Sequence, residues 1–447
     1  MRFHYPLISR CAVALFAIVA CAPSSHSAPL DLKTAVDNAL TQNPALHGAR
    51  ERVLESGYNT SLVGAGLFPV LRAESSATYR KDAVAGKTAS SVAFGGDPYN
   101  VYNASLKLEQ SLFQWGSFSA VRAAGLEQKK VETDVLVAER NLVRDIIKAF
   151  YRLSLQRNVI EILLDEQKVV DESLRTAQNR LRLGGKKVDL LQVKVQAALL
   201  KPRIETARID LASSAAELAK LMGETSGSNF ELRGRLPFLH SKSLATKLNL
   251  KEFTLPELDR LKLAREQLDE NRSVLLGKHL PSVSLLGDYN FANFTKSDLF
   301  DKASNAWSLQ LLLKVPLFSG FSSIYERKIT NSREAQLELE ERDLRNLVSL
   351  EQIKSRKALE AAELSLASAV EAESLARESL KEGRRDYSYG IIDFLQYLQV
   401  QRSNFDAVSS LNQLKYDNIA ALTDYFVASG QPLGLLINLL AEEEKKL

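Results

Sequence analysis

Four stretches of the chain alternate polar and apolar side chains with period two. From Val70 to Asp82, the residues Arg72, Glu74, Ser76, Thr78 and Arg80 share one face, and Leu71, Ala73, Ala77 and Tyr79 the other. From Val101 to Phe113, Asn103, Ser105, Lys107, Glu109 and Ser111 oppose Tyr102, Ala104, Leu106, Leu108 and Leu112. Ser282 to Phe294 sets Ser282, Ser284, Asp288 and Asn290 against Val283, Leu285, Tyr289 and Phe291. Ala306 to Phe318 sets Ser308, Gln310 and Lys314 against Trp307, Leu309, Leu311, Leu313 and Val315. Gln110, Leu286 and Leu312 break the pattern. The alternation predicts strands over 70–82, 101–113, 282–294 and 306–318, each with one wet face and one apolar face. About twelve residues at ~3.3 Å each reach ~40 Å, which a tilt near 45° brings to the thickness of a bilayer. Aromatics cluster near the strand ends (Tyr79, Tyr99, Tyr102, Phe113, Trp115, Phe294, Trp307, Phe318), as in the girdles of a membrane barrel.

The rest of the pattern is helical. Residues 31–60 predict one helix. Leu126 to Leu183 and Phe321 to Glu382 contain neither Gly nor Pro. At ~1.5 Å per residue each spans ~90 Å. Each is followed by a second helical run, Lys186–Met222 and Ile391–Ser429, after a short break at Gly184-Gly185 and at Gly383 to Gly390. Two antiparallel hairpins are predicted. Apolar rows stepping by seven (Leu136, Val143, Phe150; Ile146, Leu153, Ile160; Leu359, Leu366) predict coiled-coil packing.

This order occurs twice. Ser105–Phe113 parallels Gln310–Phe318, Val188–Gln192 parallels Ile392–Gln396, and Leu67-Phe-Pro69 parallels His279-Leu-Pro281, each Pro preceding a strand. The expected organisation is a first repeat over 29–222, with a helical hairpin at 117–222, and a linker over 223–255. A second repeat covers 256–429, with a hairpin at 321–429, and a tail follows at 430–447. Four strands cannot close a barrel, and an open edge is not tolerated in lipid. Closure therefore requires other copies of the chain, and three copies supply twelve strands.

Composition narrows the setting. The 447 residues are 45% hydrophobic and 25% charged, with 58 Lys and Arg against 54 Asp and Glu. A net charge of +4 gives no electrostatic basis for binding nucleic acid. Both cysteines, Cys11 and Cys21, lie at the N-terminus, beside the apolar run Cys11 to Ala20 between Arg10 and Cys21. This reads as a signal peptide over 1–20. Ile18-Val19-Ala20-Cys21 matches a lipobox, which makes Cys21 a lipidation site; the alternative is an ordinary cleavage, for example after Ser27. No later stretch reaches 18 uncharged apolar residues.

The doubled order, the Pro69 and Pro281 strand starts, and the junctions Leu112-Phe-Gln-Trp-Gly116 and Pro316-Leu-Phe-Ser-Gly320 together resemble the TolC-type outer-membrane efflux protein family. The tip segments Gly184–Gln192 and Gly390–Gln396 add to the resemblance, which covers about 29–435. It implies a mixed α+β membrane protein: a trimeric 12-stranded transmembrane β-barrel, four strands per protomer, continuous with a long periplasmic α-helical barrel of coiled-coil hairpins. It also implies an outer-membrane exit duct for small molecules or proteins. The implied partners are two further copies of the chain, a periplasmic adaptor and an inner-membrane pump.

A duct needs a wet lumen and a gate. The polar strand face offers Arg72, Glu74, Arg80, Lys107, Glu109, Asp288 and Lys314, whose mixed signs argue against strong ion selectivity. The hairpin tips offer Arg384, Arg385, Asp386, Tyr387 and Asp393, with Asp189 in the matching place of the first repeat, near Arg180 and Arg182. The family closes its tip with Tyr, Arg and Asp contacts and opens it by iris-like movement, which implies a gate here. The alternative is that Asp189 and Asp393 only cap their helices and Arg384 and Arg385 are a solvated last turn. Gly184, Gly185 and Gly390 permit tight turns beside which an adaptor would dock. Catalytic readings fail on residue type: the five histidines are isolated, and the sequence holds no Gly-x-Ser-x-Gly, His-Glu-x-x-His or phosphate-binding loop. No cofactor or metal is expected. The competing reading is a periplasmic coiled-coil scaffold that buries its apolar strand faces in protein.

Overall fold

The structure is a computed structural model that describes residues 30–81, 98–224, 236–237, 255–301 and 304–444. The expected leader, including Cys21, most of the first inter-strand loop and most of the 223–255 linker lie outside the described residues.

The chain opens with α1 (Leu32–Gln42) and α2 (Pro44–Ala65), where the sequence predicts one helix. The break is chemical. Pro44 lacks the amide that would continue α1, while the Asn43 side chain accepts from the Leu46 amide at 3.0 Å and starts α2. Strands β1 (Val70–Arg80) and β2 (Tyr99–Phe113) follow, then α3 (Trp115–Arg182) and α4 (Lys187–Met222). The same order recurs as α5 (Pro256–Gly277), β3 (Ser282–Asn293), β4 (Asn305–Lys314), α6 (Ser322–Ser388) and α7 (Phe394–Ala428). β4 stops at Lys314, short of the predicted Phe318, because Pro316 cannot donate to a ladder. α6 passes through Gly383 instead of breaking there. A Cβ at Gly383 would meet Val400 Cγ1 at 3.1 Å, so the missing side chain serves close packing against α7.

The predicted tail is folded. α8 (Leu433–Glu444) buries Leu433, Leu436, Ile437 and Leu440 in the main core. That core gathers Leu32, Ala35 and Val36 of α1, Ile146, Phe150 and Tyr151 of α3, Leu218 and Met222 of α4, and Ile419, Leu422 and Phe426 of α7. Each large apolar side chain buried there contributes about 1.5–3 kcal/mol. Glu444 is a packing residue, since Tyr151 donates its hydroxyl to Glu444 Oε1 at 2.6 Å. Burial raises the Glu444 carboxyl above the ordinary range, and nearby Asp31 adds to the effect.

A second cluster holds the distal hairpin together. Leu163, Val170 and Ala177 of α3 face Val193, Leu200 and Ala207 of α4, each row stepping by seven. Of the rows expected from sequence, Ile146, Leu153 and Phe150 are buried, but Leu136 is exposed.

Candidate functional site

The four strands form one antiparallel sheet in the order β1-β2-β3-β4. Its register aligns Arg72 with Lys107, Lys107 with Asp288, and Asp288 with Ser308, one row across all four strands. Directly paired residues point to the same side. Glu74 pairs with Ser105, Glu109 with Val70, Arg80 with Tyr99 and Lys314 with Ser282, so all seven charged candidates share one face. Four of them pair with one another: Lys107 Nζ donates to Glu74 Oε2 at 2.6 Å, and Arg72 Nη1 lies 3.7 Å from Glu109 Oε2. Arg80 Nε donates to the Tyr99 hydroxyl at 2.8 Å.

The opposite face is apolar. Leu71, Leu108, Gly287 and Leu309 form one row, and Ala73, Leu106, Tyr289 and Trp307 the next. Among the described residues no helix packs across this face: Trp307 is 76% exposed and Leu309 64%. Gln110, which breaks the apolar alternation, spends its amide on the Leu67 carbonyl at 2.7 Å and the Ser111 carbonyl at 2.8 Å. Not every aromatic marks the apolar face. Tyr99 opposes Arg80 on the polar face, where Phe294 packs edge-on to it at 5.7 Å. Trp115 belongs to α3.

At the far end of the helices both hairpins turn by the same device. Gly184 (φ +92°) and Gly390 (φ +75°) adopt the left-handed conformation. The next residue's amide then donates back five residues, Gly185 to the Arg180 carbonyl and Ile391 to the Asp386 carbonyl, both at 2.8 Å. Asp393 caps α7. Its Oδ1 accepts from the Gln396 amide at 2.8 Å while Gln396 Oε1 accepts from the Asp393 amide at 3.0 Å. Asp189 makes no cap; Lys186 holds that position, and Asp189 lies in the first turn of α4.

At the tips a contact joins the two hairpins through a residue outside the expected gate set; nearer the core, Lys148 of α3 also donates to Asp424 of α7 at 2.6 Å. The Arg180 guanidinium at the end of α3 lies 4.4 Å over the ring of Tyr387 at the end of α6. Tyr397 stacks on the same ring at 4.7 Å and 4°, and Phe394 flanks it at 5.8 Å. The Tyr387 hydroxyl is buried and has no partner among the described residues. Burial raises its pKa; the Arg180 charge lowers it and the Asp189 charge raises it further. Arg385 pairs with Glu382 and lies 3.7 Å from Asp386, whereas Arg384 is exposed. Arg180 was legible as a nearby charge, but the Tyr387 contact depends on how the two hairpins pack.

Between the tips and the core lies a buried carboxyl that sequence reasoning missed. Glu166 of α3 is 4% exposed, with both oxygens 3.4–3.5 Å from Arg203 Nη1 of α4. Burial raises its pKa, an effect opposed by the Arg203 charge. Among the described residues, no group of three or more His, Cys, Asp or Glu side chains is placed to hold a metal ion, and no helix is long and apolar enough to cross a membrane.

The family model described as outer membrane efflux protein matches residues 35–224 and 255–430. The outer membrane protein TolC of Vibrio cholerae is 22% identical over 342 residues, covering 74% of this chain and 77% of that protein. The cation efflux system protein CusC of Escherichia coli is 22% identical over 413 residues, covering 86% and 83%. Among solved structures, CusC superposes with a TM-score of 0.75 at 18% identity over 90% of this chain and 92% of that one. The CmeC outer membrane channel of Campylobacter jejuni gives 0.74 at 17% identity over 92% and 89%.

Proposed function

Because the chain belongs to the outer membrane efflux protein family, we propose that it is the exit duct of a tripartite efflux or type I secretion system. The family consists of outer-membrane channels, not enzymes, and the chain resides in the outer membrane with a large periplasmic portion. The duct carries small molecules or proteins delivered by an inner-membrane pump through a periplasmic adaptor.

The observation that carries this reading is a sheet with one apolar face uncovered, one charged face, and two unpaired edges, β1 and β4. Water leaves neither an apolar face nor a free edge of this length unmatched, whereas a barrel shared by three copies satisfies both. Twelve strands then surround a lumen lined by Arg72, Glu74, Arg80, Lys107, Glu109, Asp288 and Lys314. The helices support the same assembly. α2 exposes Leu54, Tyr58 and Leu62, and α6 exposes Ile353, Leu364 and Leu375 every eleven residues. That spacing keeps an apolar stripe along one face of α6, free to pack on a neighbouring copy. The doubled order of elements fits an internal duplication, each repeat supplying one strand pair and one hairpin.

The tips form the gate. Tyr387 bridges the hairpins through Arg180, with Asp189, Arg384, Arg385, Asp386 and Asp393 around it, and iris-like separation of the hairpins opens the passage. Leu183, 88% exposed, Tyr389 and Ile391 present apolar surface beside Gly184, Gly185 and Gly390, where the adaptor docks. The test is assembly. Detergent extracts should contain a heat-modifiable particle of three mature chains that conducts ions in planar bilayers. A freely soluble monomer would overturn the reading.

A further inference from the structure

We propose that the groove between α5 and α6 beside the sheet binds the headgroup of an anionic phospholipid from the periplasmic leaflet. The inference rests on the strands being the membrane wall. α5 runs toward the sheet and ends at Gly277, shortly before β3; α6 leaves the sheet at Ser322, shortly after β4. Near the sheet both helices expose apolar side chains, Leu276 on α5 and Phe321 and Ile324 at the start of α6, with Lys278 and His279 just past the end of α5. One turn farther from the sheet both helices turn cationic, with Arg272 on α5 and Arg327 and Lys328 on α6. Exposed apolar side chains set beside cations match what a phospholipid presents, its acyl chains and its phosphate.

The space and the charge fit. The groove encloses about 770 Å³ between the two helices, lined by Arg272, Leu276, Ile324, Arg327 and Lys328 among others. Arg272 is already engaged by Glu334 at 2.7 Å, and the one carboxylate of the lining, Glu326, is held by Lys278 at 2.8 Å. Arg327 and Lys328 pair with no carboxylate among the described residues; Lys328 only overlies the Tyr325 ring at 5.7 Å. The rim above the groove suits lipid. Leu317 is 93% exposed, and Phe318 and Phe321 pack edge-to-face at 5.3 Å, both exposed.

The test is native mass spectrometry of the full-length oligomer in detergent, titrated with phosphatidylglycerol or phosphatidylcholine. Phosphatidylglycerol should be retained preferentially. The double variant Arg327→Gln/Lys328→Gln should weaken its retention roughly thirtyfold, which is about 1 kcal/mol for each cation. Lys381→Gln, near the tip, should change nothing. Equal retention of both lipids, or undiminished retention by the double variant, overturns the proposal. So does displacement of the lipid by millimolar inorganic phosphate, which would make this a free-phosphate site. An oligomer that requires detergent but ignores headgroup charge overturns this inference alone; a soluble monomer removes the membrane reading with it.

Discussion

Tyr387→Ala removes the one ring that both hairpins grip. The Arg180 guanidinium at 4.4 Å is a partly solvated cation–π contact, worth about 1 kcal/mol. The parallel stack on Tyr397 at 4.7 Å lies within the second hairpin and survives its separation from the first, so it does not bias the gate. Losing the Arg180 contact shifts the closed tip by ~1 kcal/mol per protomer, roughly fivefold in an equilibrium constant. If three tips open as one, the energies add to ~3 kcal/mol and the shift reaches roughly 150-fold. The assay is single-channel conductance of the purified oligomer. The wild type should dwell in a high-resistance state, and Tyr387→Ala in a low-resistance one. Tyr387→Phe is the decisive partner experiment. The hydroxyl is buried without a partner among the described residues, so its removal costs no hydrogen bond there and relieves an unpaired polar group. Tyr387→Phe should stay closed, and Arg180→Ala should open as Tyr387→Ala does. A Tyr387→Phe channel as open as Tyr387→Ala would refute the reasoning, because a hydroxyl hydrogen bond, not the ring beneath Arg180, would then hold the gate.

Three further outcomes follow from the geometry. Gly277→Ala places a methyl 2.4 Å from the Gly116 amide nitrogen, where only backbone can yield, so α3 and α5 must part; the cost of about 1–3 kcal/mol should lower the melting temperature, whereas Gly48→Ala, with open space around it, should be neutral or slightly stabilising. Asp393→Ala should cost about 1 kcal/mol through the lost cap, and Asp393→Ser should restore both helix content and closed-state resistance; a serine channel as leaky as the alanine one would make the Asp393 charge part of the gate. Burial raises the Glu166 pKa, so the folded chain holds its proton to higher pH than the unfolded chain does, and stability falls as pH rises through that window. Glu166→Gln should flatten this acid-side slope and raise the melting temperature at neutral pH, read by circular dichroism; an unchanged slope would mean that Glu166 is not the group titrating.

The sequence alone determined the strands, the polar face and the hairpins, because these rest on local periodicity. Period two assigns every side chain of a strand to a face, so Arg72, Lys107 and Asp288 were on the same side before any pairing was known. Gly184 and Gly390 marked the turns because a left-handed residue strongly favours glycine. Local pattern also misled where one residue has two uses. Gly383 reads as a helix breaker, yet it sits inside α6 to admit Val400, and Pro44 divides what apolar spacing reads as one helix. The 430–447 segment reads only as a tail in sequence, because nothing local records that Leu436 and Leu440 find a pocket formed by distant α1, α3 and α7. Only the tertiary structure decided that Arg180 meets Tyr387, that Glu166 is buried against Arg203, and that the groove beside the sheet gathers apolar and cationic side chains from two helices. Each of these joins segments up to some 200 residues apart in the chain. A contact at that separation is set by how helices of fixed length and register pack side by side, and no local window of sequence records it.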